Sequence, residues 1–187
     1  MKPLIEMRID RMMLLTFMAL LPLVGSCTIH GAIPYSRGNS YLEEGKYDAA
    51  IAEFDKALEV NPKSALAYYH RGLAYSRKGV HEMAVSDYTR ALAVDAGVLE
   101  TRSLLYLVYY HRGVSYHKIG RLDLAIADFT KAIEINSDVA DAYANRGKVR
   151  LDKRENKLAV VDFNKALEIK PALADELKPW LARARGR

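Results

Sequence analysis

One cysteine and five histidines are the side chains of this 187-residue chain best suited to nucleophilic or metal chemistry, and their spacing serves neither. Cys27 stands alone, so it cannot close an intramolecular disulfide. His111 and His117 are six residues apart, which on a helix puts them on different faces. There is no G-x-S-x-G elbow, no phosphate-binding Gly-Lys loop and no H-E-x-x-H pair. The sequence therefore predicts no catalysis, no cofactor and no metal. A net charge of +5, drawn from interspersed charges of both signs, favours solubility and gives no argument for nucleic acid.

A different constellation is far more regular. Arg37, Arg71, Arg112 and Arg146 are each followed sixteen residues later by a carboxylate: Glu53, Asp87, Asp128 and Asp162. Each arginine immediately precedes a glycine, and Gly38, Gly72, Gly113 and Gly147 are spaced by 34, 41 and 34 residues. Ala57, Ala91, Ala132 and Ala166 keep the same spacing. One unit is written four times, from PYSRGNSYLEEGKYDAAIAEFDKALEVNP at Pro34, through YYHRGLAYSRKG at Tyr68 and YYHRGVSYHKIG at Tyr109, to YANRGKVRLDKR at Tyr143. His70 and His111 occupy equivalent places in consecutive units, so repetition accounts for them before metal binding does.

The pattern resembles the tetratricopeptide repeat, a 34-residue helix–turn–helix. Tyr68, Tyr109 and Tyr143 fill its first aromatic position, and Tyr41, Tyr75 and Tyr116 the tyrosine after the glycine. Ala50, Ala84, Ala125 and Ala159 precede Phe54, Tyr88, Phe129 and Phe163, and Pro62 and Pro171 close the first and fourth units. Pro34, Arg150, Ala96 and Ser137 depart from the pattern. The resemblance implies an all-α fold: a right-handed α-solenoid of four hairpins over residues 34–173, with a capping helix and basic tail over 174–187. Gly45, Gly79 and Gly120 are predicted to end the first helix of their hairpins. If each hairpin turns near its fifteenth position, every Arg and its carboxylate stand at one height on neighbouring helices, which predicts four ion pairs.

Seven extra residues fall near 99–105. Seven residues are two helical turns with little angular drift. They are predicted to lengthen the first helix of the third hairpin, leaving Leu99, Leu104 and Tyr106 overhanging as a patch for docking or for pairing two copies. Beyond Pro171, Leu173, Leu177, Trp180, Leu181 and Ala184 share one face, as an end cap requires. Pro179 is expected to start or kink the last part of that helix.

Arrays of this family hold partners in a concave groove lined by the first helix of each pair. Carried onto this sequence, the groove positions are Tyr35, Asn39 and Glu43; Leu66, Tyr69, Leu73 and Arg77; Leu107, Tyr110, Val114, His117 and Lys118; and Asp141, Ala144 and Lys148. The middle is apolar and aromatic with a basic shoulder, which suits a peptide or helix with apolar anchors and some acidic character. The clamp that binds chaperone tails needs Lys, Asn, Asn, Lys and Arg. Here those positions hold Tyr35, Asn39, His70, Leu107 and His111, one match in five.

The N-terminus differs in kind, with five of the six methionines in the first 18 residues. Lys2, Arg8 and Arg11 precede an uncharged apolar run from Met12 to Val24, then Gly25 and Ser26, which is the build of a secretory signal peptide over residues 1–26. A membrane span needs about 20 apolar residues, and this run is shorter and holds Pro22. Val24-Gly25-Ser26-Cys27 resembles the bacterial lipobox. The resemblance implies cleavage before Cys27, acylation of that cysteine with palmitate, and, with Thr28 next, passage to the outer membrane facing the periplasm. Residues 27–33 are then a lipidated cysteine and short linker. The sequence as a whole predicts a non-enzymatic scaffold or adaptor, membrane-bound by lipid and recruiting protein partners in a bacterial envelope. The alternative is a self-assembling structural or assembly factor, for pilus or outer-membrane complex biogenesis, in which the inserted segment could pair two copies as a homodimer.

Overall fold

The computed structural model describes residues 22–94 and 102–186, and among these every regular element is a helix. In order they are α1 (Pro22–Glu43), α2 (Tyr47–Val60), α3 (Ala65–Lys78), α4 (His81–Val94), α5 (Arg102–Lys118), α6 (Leu122–Ile135), α7 (Ala140–Asp152) and α8 (Asn156–Ile169). A 3-10 turn, Pro171–Leu173, leads into α9 (Ala174–Ala184). Consecutive helices pair as four hairpins, α1 with α2, α3 with α4, α5 with α6 and α7 with α8. Each second helix also packs on the first helix of the next hairpin, so the hairpins stack into an α-solenoid.

The hairpin turns follow from local chemistry. The backbone is left-handed at Gly45, Gly79 and Gly120, with φ of 75°, 88° and 74°. At Gly79 the Val80 amide donates to the Tyr75 carbonyl (2.9 Å) and the Gly79 amide to that of Ser76 (3.1 Å), a closed helix end. The fourth hairpin makes the same turn with Arg154 at φ 63°, the one non-glycine in that region among the described residues. Its closing bonds, Glu155 to Arg150 (2.8 Å) and Arg154 to Leu151 (3.0 Å), reproduce those of the other turns.

Between the two helices of each hairpin lies one aromatic ring. Phe54, Tyr88, Phe129 and Phe163 are all fully buried. A Cβ built on Gly147 would stand 2.7 Å from the Phe163 ring, so glycine here is what lets the helices close on that ring.

Three expectations are corrected. First, Pro34 does not begin the first helix: α1 runs through it from Pro22, so Thr28–Ile33 is helical backbone rather than an extended linker. Second, α5 starts at Arg102, one turn earlier than α3 does in its repeat, but its extra turn does not overhang freely. Leu104 and Leu105 are half-buried against a core that includes Ala91 and Val108. Leu99 lies outside the described residues. Third, Pro179 does not start a separate helix: it sits inside α9, which runs to Ala184. This helix seats Leu177 and Ala184, with Trp180 and Leu181 partly buried beside them, on the Phe163 core.

Candidate functional site: the inner face of the array

The first helices of successive hairpins touch, α1 with α3, α3 with α5 and α5 with α7, and no pair of second helices packs comparably. The array therefore curves with α1, α3, α5 and α7 on its inside, and these helices present the inner face.

The arginines set the spacing of that face. Arg71 Nε and Nη2 donate to Asp87 Oδ2 and Oδ1, both at 2.7 Å. Arg112 meets Asp128 in the same two-pronged way at 2.7 and 2.8 Å, and Arg146 meets Asp162 at 3.0 and 2.8 Å. Such planar pairs are the strong form of this interaction. In the first hairpin the pair is loose: Arg37 Nε stands 3.4 Å from Glu53, which also accepts from Lys56 Nζ at 2.7 Å. Burial opposes the charge on Arg71 and Arg112, but the bonds and charge of their aspartates outweigh it and raise both above the usual arginine range. A tyrosine three residues earlier packs against the guanidinium of Arg71, Arg112 and Arg146, each 5.5 Å from its ring centre.

Arg71, Arg112 and Arg146 also reach the preceding hairpin. Nη1 of Arg71 donates to Asp55, that of Arg112 to Thr89 (3.1 Å) and that of Arg146 to Thr130 (2.9 Å). Sequence reasoning missed this second set. The signal was there, since Asp55 and Thr130 precede their arginines by sixteen residues, the same offset as the aspartates. Arg150, a departure from the repeat pattern, adds a second cation at 2.7 Å from Asp162 Oδ2.

An aromatic row crosses the inner face. The Tyr35 ring meets His70 edge-on at 5.5 Å, His70 meets Tyr69 at 5.0 Å, Tyr69 lies 6.0 Å from His111, and His111 meets Tyr110 at 5.1 Å. Burial, with Arg77 nearby, lowers the pKa of both His70 and His111 to about 4, so both are neutral at physiological pH. Burial, with a smaller push from Tyr106, raises Tyr69 to about 12.

The predicted groove positions separate into three groups. Tyr69 and Ala144, at 5% and 4% exposure, are closed off by packing and are corrected to core residues. Tyr35, Leu73, Leu107, Tyr110 and Val114 are half-buried, as is Asn39, whose Oδ1 is buried without a partner. The Tyr110 hydroxyl accepts from Asn145 Nδ2 at 2.8 Å. Leu66 is half-buried, while Glu43, Arg77, Lys118 and Asp141 are exposed. The far end of the face is occupied. Lys148 donates to Glu176 at 2.9 Å and lies over Trp180, and His117 Nε2 meets Asp152 Oδ2 at 2.8 Å. Among the described residues no cluster of His, Cys, Asp or Glu could hold a metal ion, and no helix is long and apolar enough to cross a membrane.

A curved stack of antiparallel hairpins with rings at fixed depth, and one helix face turned inward four times, defines a repeat scaffold. The chain belongs to the tetratricopeptide repeat family: models of that repeat match residues 38–79, 65–97, 106–139 and 140–173. Among solved structures it is similar to MamA, at 28% identity and a TM-score of 0.68 over 78% of this chain and 81% of that one. MamA 41-end from Desulfovibrio magneticus RS-1 shares the fold at 21% identity and a TM-score of 0.67, covering 76% of each chain. The first TPR of Spaghetti (RPAP3), bound to the HSP90 peptide SRMEEVD, is 25% identical with a TM-score of 0.59, over 66% of this chain and 92% of that one. No curated protein matches by sequence.

Proposed function

We propose that this protein is a non-catalytic, lipid-anchored scaffold of a bacterial envelope that holds a protein partner against its inner face. The observation that carries the reading is the inner face itself: half-buried Leu66, Leu73 and Leu107 beside tyrosine rings, bordered by exposed Arg77 and Lys118. Large rigid rings and leucines offer contact area at little entropic cost, and a polar border sets register. The peptide held by the RPAP3 domain supports the same use of this fold.

The anchor is Cys27, acylated after removal of residues 1–26. Because the backbone is helical across Thr28–Ile33, those six residues span about 9 Å rather than the ~20 Å of an extended tether. A partner on the inner face would be held close to the membrane, on the outer membrane if Thr28 acts as read. Pairing of two copies through the inserted segment is less favoured, because Leu104 and Leu105 are taken up by the core.

Two measurements test this. Labelled palmitate should enter the wild-type protein and not Cys27→Ser; equal labelling of both removes the anchor. In cells, Leu66→Asp on the inner face should lose a co-purifying protein that Val161→Asp, on the outer side of α8, retains. Loss with Val161→Asp alone would place the working surface elsewhere.

A further inference from the structure

The two ends of the array are unequal. The C-terminal end is capped, with Leu177 and Ala184 of α9 seated in the core of α8. The N-terminal end is open. Ala67, Val108 and Ala142 are buried at one place in α3, α5 and α7, whereas Ile33, at that place in α1, is 53% exposed. Ser40 is exposed where Ala74, Ser115 and Val149 are fully buried. Ala74 packs with Ala50 and Phe54, and Val149 with Ala125 and Phe129, all from the preceding hairpin. The open face of α1 is thus the face on which each later hairpin receives its predecessor.

Two polar contacts set the register of that stacking. Arg71, Arg112 and Arg146 donate to Asp55, Thr89 and Thr130 on the preceding second helix. Seven residues before Asp55 and Thr130, Asp48 and Asp123 pair with Lys78 and Lys153. At the two ends of the chain this ion pair is reversed in sign. Glu44 stands at the place of Lys78 and Lys153, and Lys157 at that of Asp48, Glu82 and Asp123. Glu44 has an exposed local partner in Lys46 at 2.7 Å, and Lys157 is exposed with no carboxylate in ion-pair distance among the described residues. Beside them, Glu43 and Arg154 are exposed and add to the same signs, while Glu155 is taken up by Lys153. Seven residues after Lys157, exposed Asn164 holds the place of Asp55, Thr89 and Thr130. Of the four second helices, only α8 carries a cation where Glu44 would need one.

We infer that the open face of α1 takes α8 of a second copy, so that the first hairpin of one chain stacks on the fourth hairpin of another in the register of the internal repeats. Arg37, 57% exposed, then donates to Asn164, and Glu44 pairs with Lys157. Ala67 shares a core with Ala57 and Leu58, whose counterparts on α8 are Ala166 and Leu167, and these receive Ile33. In the single chain α9 covers this surface, so α9 is a displaceable cap. Trp180 stands where a following hairpin would carry its stacking arginine, and among the described residues α9 makes no bond to Asn164. Unlike surfaces meeting in this way extend head to tail instead of closing a two-fold pair. The inner faces of successive copies then join, whatever they hold.

The test is photo-crosslinking in cells from a reactive residue replacing Ser40 in the full chain, co-expressed with a differently tagged copy, with the joined peptides read by mass spectrometry. The expected result is joining of the two tagged forms through α8. Lys157→Glu, melting as the wild type does, should reduce the joining severalfold, and adding Glu44→Lys should restore it. In the purified full chain in detergent, emission from Trp180, the one tryptophan, should move to longer wavelength as concentration rises and α9 leaves α8. Joining through α1 or α2, capture of a different protein alone, or no joining would overturn the inference. So would joining that Lys157→Glu leaves intact or Glu44→Lys fails to restore, or Trp180 emission that does not respond.

Discussion

Arg146 and Asp162, sixteen residues apart in sequence, face each other across the fourth hairpin with two nearly parallel bonds of 3.0 and 2.8 Å. The carboxylate is almost wholly buried and the arginine largely so, at 2% and 12% side-chain exposure. Removing the carboxylate strands both Arg146 and Arg150 with little access to water, so Asp162→Ala should cost about 3–5 kcal/mol in urea unfolding. Arg146→Ala should cost less, because Arg150 still pairs with Asp162. Arg37→Ala, at a loose pair whose arginine is 57% exposed, should cost about 1 kcal/mol or less. Equal losses at the two sites would show that burial does not set the strength of these pairs.

Arg154 makes a turn that glycine makes in the other three hairpins, at φ 63°. A side chain in that region costs about 1–2 kcal/mol relative to glycine, partly offset by the greater freedom of glycine when unfolded. Arg154→Gly should stabilise the protein by roughly 1 kcal/mol, read as a higher melting temperature. A lower melting temperature would mean that the Arg154 side chain makes a stabilising contact.

Tyr88 stands where the other hairpins carry phenylalanine, and its hydroxyl is buried without a hydrogen-bond partner. An unpaired buried hydroxyl is a burden of about 1 kcal/mol or more. Tyr88→Phe should leave stability unchanged or raise it by about that much in chemical denaturation, and a clear loss would reveal a bond from the hydroxyl to the neighbouring Ser76 or to an ordered water.

His70 and His111 give the fold a sensitivity to acid. Both are held near a pKa of 4 when folded, chiefly by burial, against an ordinary value of 6.5. Between those values the unfolded chain binds more protons than the folded one, so stability rises with pH. Their contribution is complete above about pH 6.5 and is withdrawn as pH falls toward 4, by roughly 3 kcal/mol for each histidine. Denaturation midpoints from pH 7.5 to 4 should show the decline. His70→Asn with His111→Asn, the residue the fourth repeat carries as Asn145, should flatten it.

Much of this was legible in the sequence because repetition turns a spacing into a geometry. The offset of sixteen between Arg71 and Asp87 could be placed on two antiparallel helices once Gly79 fixed the turn between them. What was not legible depends on which side chains and backbone meet once the chain is folded. Tyr69 occupies a groove position by its place in the unit, yet His70, Tyr88 and His111 surround it and close it off. Pro34 marks the first position of the first unit, but the helix continues through it upstream. Leu104 reads as part of an exposed patch because nothing in its own segment shows that Ala91, on the preceding helix, belongs to the core that receives it.

The central claim is that the inner face holds a partner. Its most direct test is photo-crosslinking in living cells from a reactive residue placed at Leu66, on α3, with Val161 on the outer side of α8 as the control. The account predicts a discrete crosslink to a different protein from position 66 and none from position 161. Crosslinks from 161 but not 66, or crosslinks only to a second copy of this chain, would contradict it.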